Sequence, residues 1–144
     1  VPEFWVWLAH IGSEGHVKIP LEVYEEIRDG EDELGKWARE DGLKAALLLD
    51  EEADVSLVSR VTDEGYAPDL TDDEIEKVGR DPFLIAYALA APGDRCVVTT
   101  EASKPRRRRA NRHVPDVCND FGVRCYNTFE FVRALNFSTS WRSG

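Results

Sequence analysis

The chain has 144 residues, 42% hydrophobic and 32% charged, which suits one globular domain with a sizeable core. Its longest apolar run, the nine residues after Asp81-Pro82, is too short to span a bilayer. No charged-then-apolar leader is visible, so a cytoplasmic protein without a membrane partner is expected. The net charge of −10 argues against a polyanion partner. That average hides a patch, however: "KPRRRRANRH", residues 104–113, holds six of the 18 basic residues and no acid.

In chain order, "PEFWVWLAHIGSEG" predicts a short helix with Phe4, Trp7, Leu8 and Ile11 on one face, ended by Gly12 and Gly15. "HVKIP" predicts a short strand. "LEVYEEIRDG" predicts an amphipathic helix with Leu21, Val23, Tyr24 and Ile27 inward. "DELGKWARE" reads as helical, and "LKAALLLD" fits strand or helix. "EEADVSLVSRVTDEG" predicts a helix with Val55, Val58 and Val61 on one side. "LTDDEIEKVG" carries a capping box, Thr71 with Glu74. In "DPFLIAYALAA", Asp81 takes the N-cap position and Pro82 the first helical one.

"DRCVVTTE" is the clearest strand, "HVPDVCNDFGV" a turn and short helix, "RCYN" a short strand and "TFEFVRALN" a closing helix. Strands alternating with helices imply a layered α/β fold with a parallel sheet, whose functional groups sit at the carboxyl ends of its strands. Cys96, Cys118 and Cys125 lack metal-ligand spacing, so buried reduced thiols are expected rather than a structural zinc site.

Four acids fall at element edges: Glu26, Asp81, Glu101 directly after "CVVTT", and Asp116 after the basic loop. Together they suggest a hard-cation site, since Mg²⁺ and Mn²⁺ take oxygen ligands and clustered carboxylates otherwise repel. Taken singly, each has a plainer reading: Asp81 and Asp116 as helix caps, Glu26 as a solvated helix acid, Glu101 as a loop acid. His10, His16 and His113 are scattered and do not suggest a histidine-type ribonuclease.

The ordered blocks "IPLEVYEEI", "DPFLIAYALA", "CVVTTE" and "VPDVC...FGVRCYNTFEFVR", with "SKPRRRRANRHVPDVC", resemble a branch of the PIN-like domains. That family includes the VapC-type toxins of toxin–antitoxin pairs. The resemblance covers nearly the whole chain and implies a single PIN-like domain over residues 1–144, a three-layer α/β/α sandwich. It further implies a metal-dependent endoribonuclease using Mg²⁺ or Mn²⁺, an antitoxin partner and a possible homodimer.

Residue by residue, the resemblance implies ligands and catalytic acids at Glu26 (Glu25 in an alternative register), Asp81 and Glu101. It makes Asp116 an outer member of the site and Thr99 a supporting residue. One departure stands out: PIN-like domains open with a central strand ending in Asp, and none precedes "PEFWVWL". A chain that starts at Val1 and has no Met is expected to be N-terminally truncated.

The basic loop, residues 102–113, reads as a solvated loop, as an RNA-backbone contact through Lys104, Arg106, Arg107, Arg108, Arg109 and Arg112, or as a dock for an acidic antitoxin segment. Two further readings stay open: a non-catalytic PIN-like module that binds RNA or protein, and an unrelated α/β binding protein whose acids are solvated or capping.

Overall fold

Local sequence sets short helices throughout, and two very short strands pair in parallel. A computed structural model describes residues 2–40 and 42–135. The chain divides into two compact units, one of Val1–Glu51 with Val132–Gly144 and one of Glu52–Phe131.

In the first unit, helix α1 (Pro2–Ser13) packs on α4 (Leu43–Leu47), and α2 (Leu21–Arg28) packs on α3 (Glu33–Ala38). Trp7 and Ile11 are buried as expected. Gly12 does not end α1. It lies within the helix, where a Cβ would stand 2.4 Å from Leu47 Cδ2, so its lack of a side chain permits close packing. Gly15, at φ +85°, lies just past the helix end in a conformation that L side chains rarely adopt. Tyr24 is the inward anchor of α2 and donates its hydroxyl to Ala38 O, while Leu21 is exposed. "LKAALLLD" resolves as helix followed by a parallel bridge, with Ile19 N donating to Leu47 O (2.7 Å) and Leu49 N to Ile19 O (2.9 Å). The strand expected around Ile19 is therefore this single bridge.

In the second unit, α5 (Val55–Arg60) runs into a π-helical turn, Val61–Tyr66, closed by Ala67 N donating to Thr62 O at 3.0 Å. The expected valine face does not hold: Val61 is fully buried, while Val55, the first helical residue, is 76% exposed, because each three-residue step drifts around an α-helix. Helix α6 (Asp72–Val78) starts with the expected capping box, each partner of Thr71 and Glu74 receiving the other's backbone N–H.

Helix α7 (Asp81–Leu89) is apolar on all sides and accordingly buried at Pro82, Ile85, Ala86, Tyr87 and Ala88. Its N-cap is Arg80. Asp81 is the first helical residue and Pro82 the second, one position later than the sequence pattern suggested.

Strands β1 (Val97–Val98) and β2 (Cys125–Tyr126) pair in parallel, Val97 opposite Cys125 and Val98 opposite Tyr126. Between them lie the basic loop, a 3-10 turn (Arg109–Asn111) and helix α8 (Val114–Asp120). Parallel partners need such a crossover, and the α8 side chains Val114, Val117 and Cys118 are buried in the core of this unit. Helix α9 (Thr128–Ala134) starts with a reciprocal exchange between Asn127 and Glu130. The end of the expected closing helix, Asn136, lies outside the described residues.

The fold is thus mixed α/β, mostly helical, with a two-stranded parallel sheet. Of the cysteines, Cys118 is buried as expected, Cys125 is half-buried and Cys96 is exposed. All three are free thiols. Among the described residues no helix is long and apolar enough to cross a membrane.

Gly65 sits in the π turn against α8. A Cβ there would stand 2.7 Å from Val117 Cγ1 and 3.0 Å from Phe121 Cε2, and Val117 is fully buried. Gly65→Ala is therefore expected to cost about 1–3 kcal/mol by overpacking, read from the midpoint of denaturant unfolding.

Candidate functional site

The carboxyl end of β1 positions Glu101. Thr99 N donates to Tyr126 O (3.0 Å), which continues the ladder one residue past the strand. The chain then bends so that Glu101 N donates to Thr99 Oγ1 at 3.1 Å. The Thr99 hydroxyl thus closes the turn that leads into Glu101. Asp81 comes from a different element, the first turn of the buried α7. A rigid apolar helix behind a carboxylate holds it in place.

These two acids share a neighbour that the sequence did not single out. The Tyr66 hydroxyl, at the end of the π turn, is buried and has no hydrogen-bond partner among the described residues. Burial, and after it the charges of Asp81, Glu101 and Cys118, push its ionisation up, with Arg112 opposing. Tyr66 therefore stays a neutral hydroxyl at neutral pH.

Glu101 also meets His113, whose Nδ1 lies 3.4 Å from Glu101 Oε2 and 2.7 Å from Ala102 O. Both neighbours are acceptors, so Nδ1 carries the proton. His113 ties the start of the basic loop to its end.

Asp116 is neither solvated nor a cap. It is buried in the first turn of α8, behind an N-cap at His113. One carboxylate oxygen accepts from the Ser103 hydroxyl and the other from Lys104 N at 2.8 Å. Burial raises its ionisation, but these two donors, with Arg112 and His113, outweigh it and leave the group more acidic than usual. Asp116 thus anchors the loop from behind.

The loop cations divide into two sets. Arg109 donates to Glu74 through Nε (3.0 Å) and Nη2 (2.9 Å), and to Asp69 Oδ1 through Nη1 (2.8 Å). These bonds hold it at φ +54°, unusual for a residue with a side chain. Arg112 donates to Gly65 O at 2.6 Å and pairs with Asp120 at 2.8 Å. Lys104, Arg106, Arg107 and Arg108 are exposed, and the three arginines form no ion pair with any described residue.

Glu26 belongs to the first unit, where it is exposed on α2. Glu25 beside it is half-buried. The charges of Asp81 and Glu101 both bear on Tyr66, Asp116 stands behind the loop, and Glu26 is placed by its own unit alone. Among the described residues no group of three or more His, Cys, Asp or Glu side chains is gathered tightly enough to hold a metal ion. A Mg²⁺-type ion takes one or two carboxylates and fills its remaining positions with water and substrate phosphate, so Asp81 and Glu101 are of the right chemical type for one. The buried unpaired Tyr66 hydroxyl is the observation that favours this fit.

Tyr66 and His113 are the members that sequence reasoning missed. Nothing local marks Tyr66, whereas His113 could have been flagged from its place at the exit of the basic loop.

A family model described as "Domain of unknown function (DUF4411)" matches residues 1–139. No curated protein and no solved structure matches the chain.

Two carboxylates gain stability from the folded state and set its acid limit. Glu74 is held down to about 2 from an ordinary 4.5 by Arg109 and then by the Thr71 amide, and Asp116 is also lowered from 3.8. A depressed carboxylate contributes fully above its unfolded value, and the contribution fades as pH falls toward the folded value. Melting temperature should therefore fall between about pH 4.5 and pH 2, and Glu74→Gln should flatten that limb, as read by thermal melts across the window.

Proposed function

Since the chain belongs to the DUF4411 family, whose description assigns no activity, we propose that it is a metal-dependent endoribonuclease of PIN-like type. One observation carries the proposal: Glu101 leaves the carboxyl end of β1 directly before a loop of exposed arginines whose base is pinned by His113 and Asp116. The resemblance of the "DPFLIAYALA" and "CVVTTE" blocks to PIN-like ribonucleases selects RNA as substrate. It also supports a three-layer sandwich and a role as the toxin of a toxin–antitoxin pair.

A hard divalent cation, Mg²⁺ or Mn²⁺, would supply the Lewis acid for phosphodiester hydrolysis. Asp81 and Glu101 would hold it. Thr99 fixes the backbone at Glu101, so that carboxylate is aimed before substrate arrives. His113 donates its Nδ1 proton to Ala102 O, with Glu101 Oε2 at 3.4 Å, and so holds the base of the loop beside the carboxylate. Arg106, Arg107 and Arg108 bind RNA phosphates that the acids alone would repel, each offering a forked set of donors. Arg109 and Arg112 brace this loop from inside the protein.

A second reading, a non-catalytic module that binds RNA, is favoured by the absence of a three-carboxylate group among the described residues. The two readings part on one substitution. Asp81→Asn keeps the polar group at the start of α7 but is a poor ligand for a hard cation. On the ribonuclease reading it folds normally and loses metal-dependent RNA cleavage by more than about a hundredfold. Cleavage unchanged in the folded variant, or absent from the wild type with RNA still bound, supports the binding module.

Replacing Arg106, Arg107 and Arg108 by Gln should weaken RNA binding and reduce the slope of log affinity against log salt by about 2, near 0.7 per lost single-strand phosphate contact. The measurement is fluorescence anisotropy of a labelled single-stranded RNA over a salt series.

A further inference from the structure

Helix α8 ends in a turn that sends the chain back along its own last residues. Gly122, at φ +69°, takes the left-handed conformation. Gly122 N donates to Asn119 O (3.3 Å) and Val123 N to Cys118 O (3.0 Å). This nested pair of bonds sets the residue after the glycine against the last turn of the helix. Val123 is buried there, Arg124 is exposed and Cys125 is half-buried, the alternation of an extended chain. Cys125 therefore shares the inward face of Val123. The strand register gives the same answer, because Cys125 stands opposite Val97, which is 2% exposed. That face packs on the core in which Cys118 is fully buried.

Turn and register thus bring two thiols from opposite sides of the turn to one point, where their sulfurs share a hydrogen bond. Cys118 donates it. That bond makes Cys125 more acidic than an ordinary thiol despite its burial, and the same bond, with burial after it, keeps Cys118 protonated. The third thiol, Cys96, is exposed and precedes Val97, so the pleat turns it to the opposite face.

A reactive sulfur beside a protonated thiol is the pairing that stepwise oxidation needs. We propose that Cys118 and Cys125 are a peroxide-oxidisable pair that closes to an intramolecular disulfide between α8 and β2. The Cys125 sulfur attacks one oxygen of the peroxide, the O–O bond breaks, and the hydroxide that leaves takes up a proton. Cys125 is then a sulfenic acid. The Cys118 sulfur attacks it, the S–O bond breaks, and the departing hydroxide takes the Cys118 proton as water. The peroxide gains the two electrons that the thiols lose, and a dithiol reductant reverses the result. The inference stands apart from the ribonuclease reading.

The test treats the reduced full chain with hydrogen peroxide, blocks remaining thiols, and digests with trypsin without reductant for mass spectrometry. Arg124 lies between the two cysteines, so trypsin places them on separate peptides, residues 113–124 and 125–133. These peptides should be found joined, and dithiothreitol should part them. In Cys118→Ala the joined pair should be lost, and Cys125 should instead be trapped as a sulfenic acid by a dimedone probe. Peptides that stay separate in wild type, or 125–133 joined instead to the peptide carrying Cys96, overturn the inference. So does equal dimedone labelling of wild type and a folded Cys118→Ala. Should that variant fail to fold, the wild-type peptide map decides alone.

Discussion

The buried carboxylate of Asp116 governs the geometry of everything between the two strands. A carboxylate out of water must be fully hydrogen-bonded or the fold loses several kcal/mol, roughly. Its two oxygens are met by Ser103 and by the amide of Lys104. That requirement draws the chain after Glu101 back over the start of α8. It fixes where Glu101 emerges, and His113 then bonds Ala102 to close the base of the loop. Beyond Lys104 the chain has no inward bond until Arg109, so the intervening arginines point to water.

This arrangement explains how a chain of net charge −10 can carry a concentrated basic surface. Arg109 and Arg112 are spent internally, on Asp69, Glu74, Asp120 and backbone carbonyls. Fixed ends keep three like charges close together despite their repulsion. A loop held in this way loses less conformational freedom on meeting a ligand than a free one would. On the proposed reading, the acids and the arginines are then two halves of one phosphate-binding surface, linked through Glu101 and its neighbours.

Much of the architecture was legible in the sequence because its signals are local. The capping box at Thr71 and Glu74, the all-apolar run behind Asp81 and the two short strands each depend on neighbours within a few residues. Errors arose where distant contacts decide. The valine spacing of residues 55–61 predicted one helical face, but Val61 is buried while Val55, at the start of α5, stands outside. Gly12 looked like a helix stop and is instead a contact point for Leu47. Asp116 looked like a cap because its partners, Ser103 and Lys104, lie 13 and 12 residues away. Of the candidate site, Asp81 and Glu101 were readable as edge residues, and Thr99 only through the resemblance. Tyr66 was not, since only tertiary packing buries its hydroxyl without a partner among the described residues.

Glu74 joins two structures that sequence order keeps apart. Its carboxylate accepts the amide of Thr71 at the head of α6 and also grips Arg109, 35 residues further on. The first turn of α6 and the far end of the basic loop therefore cannot loosen independently, because releasing either frees the acid that holds the other. Segments joined in this way tend to open together as one cooperative unit. The surface of exposed arginines accordingly inherits the stability of a helix that it does not belong to.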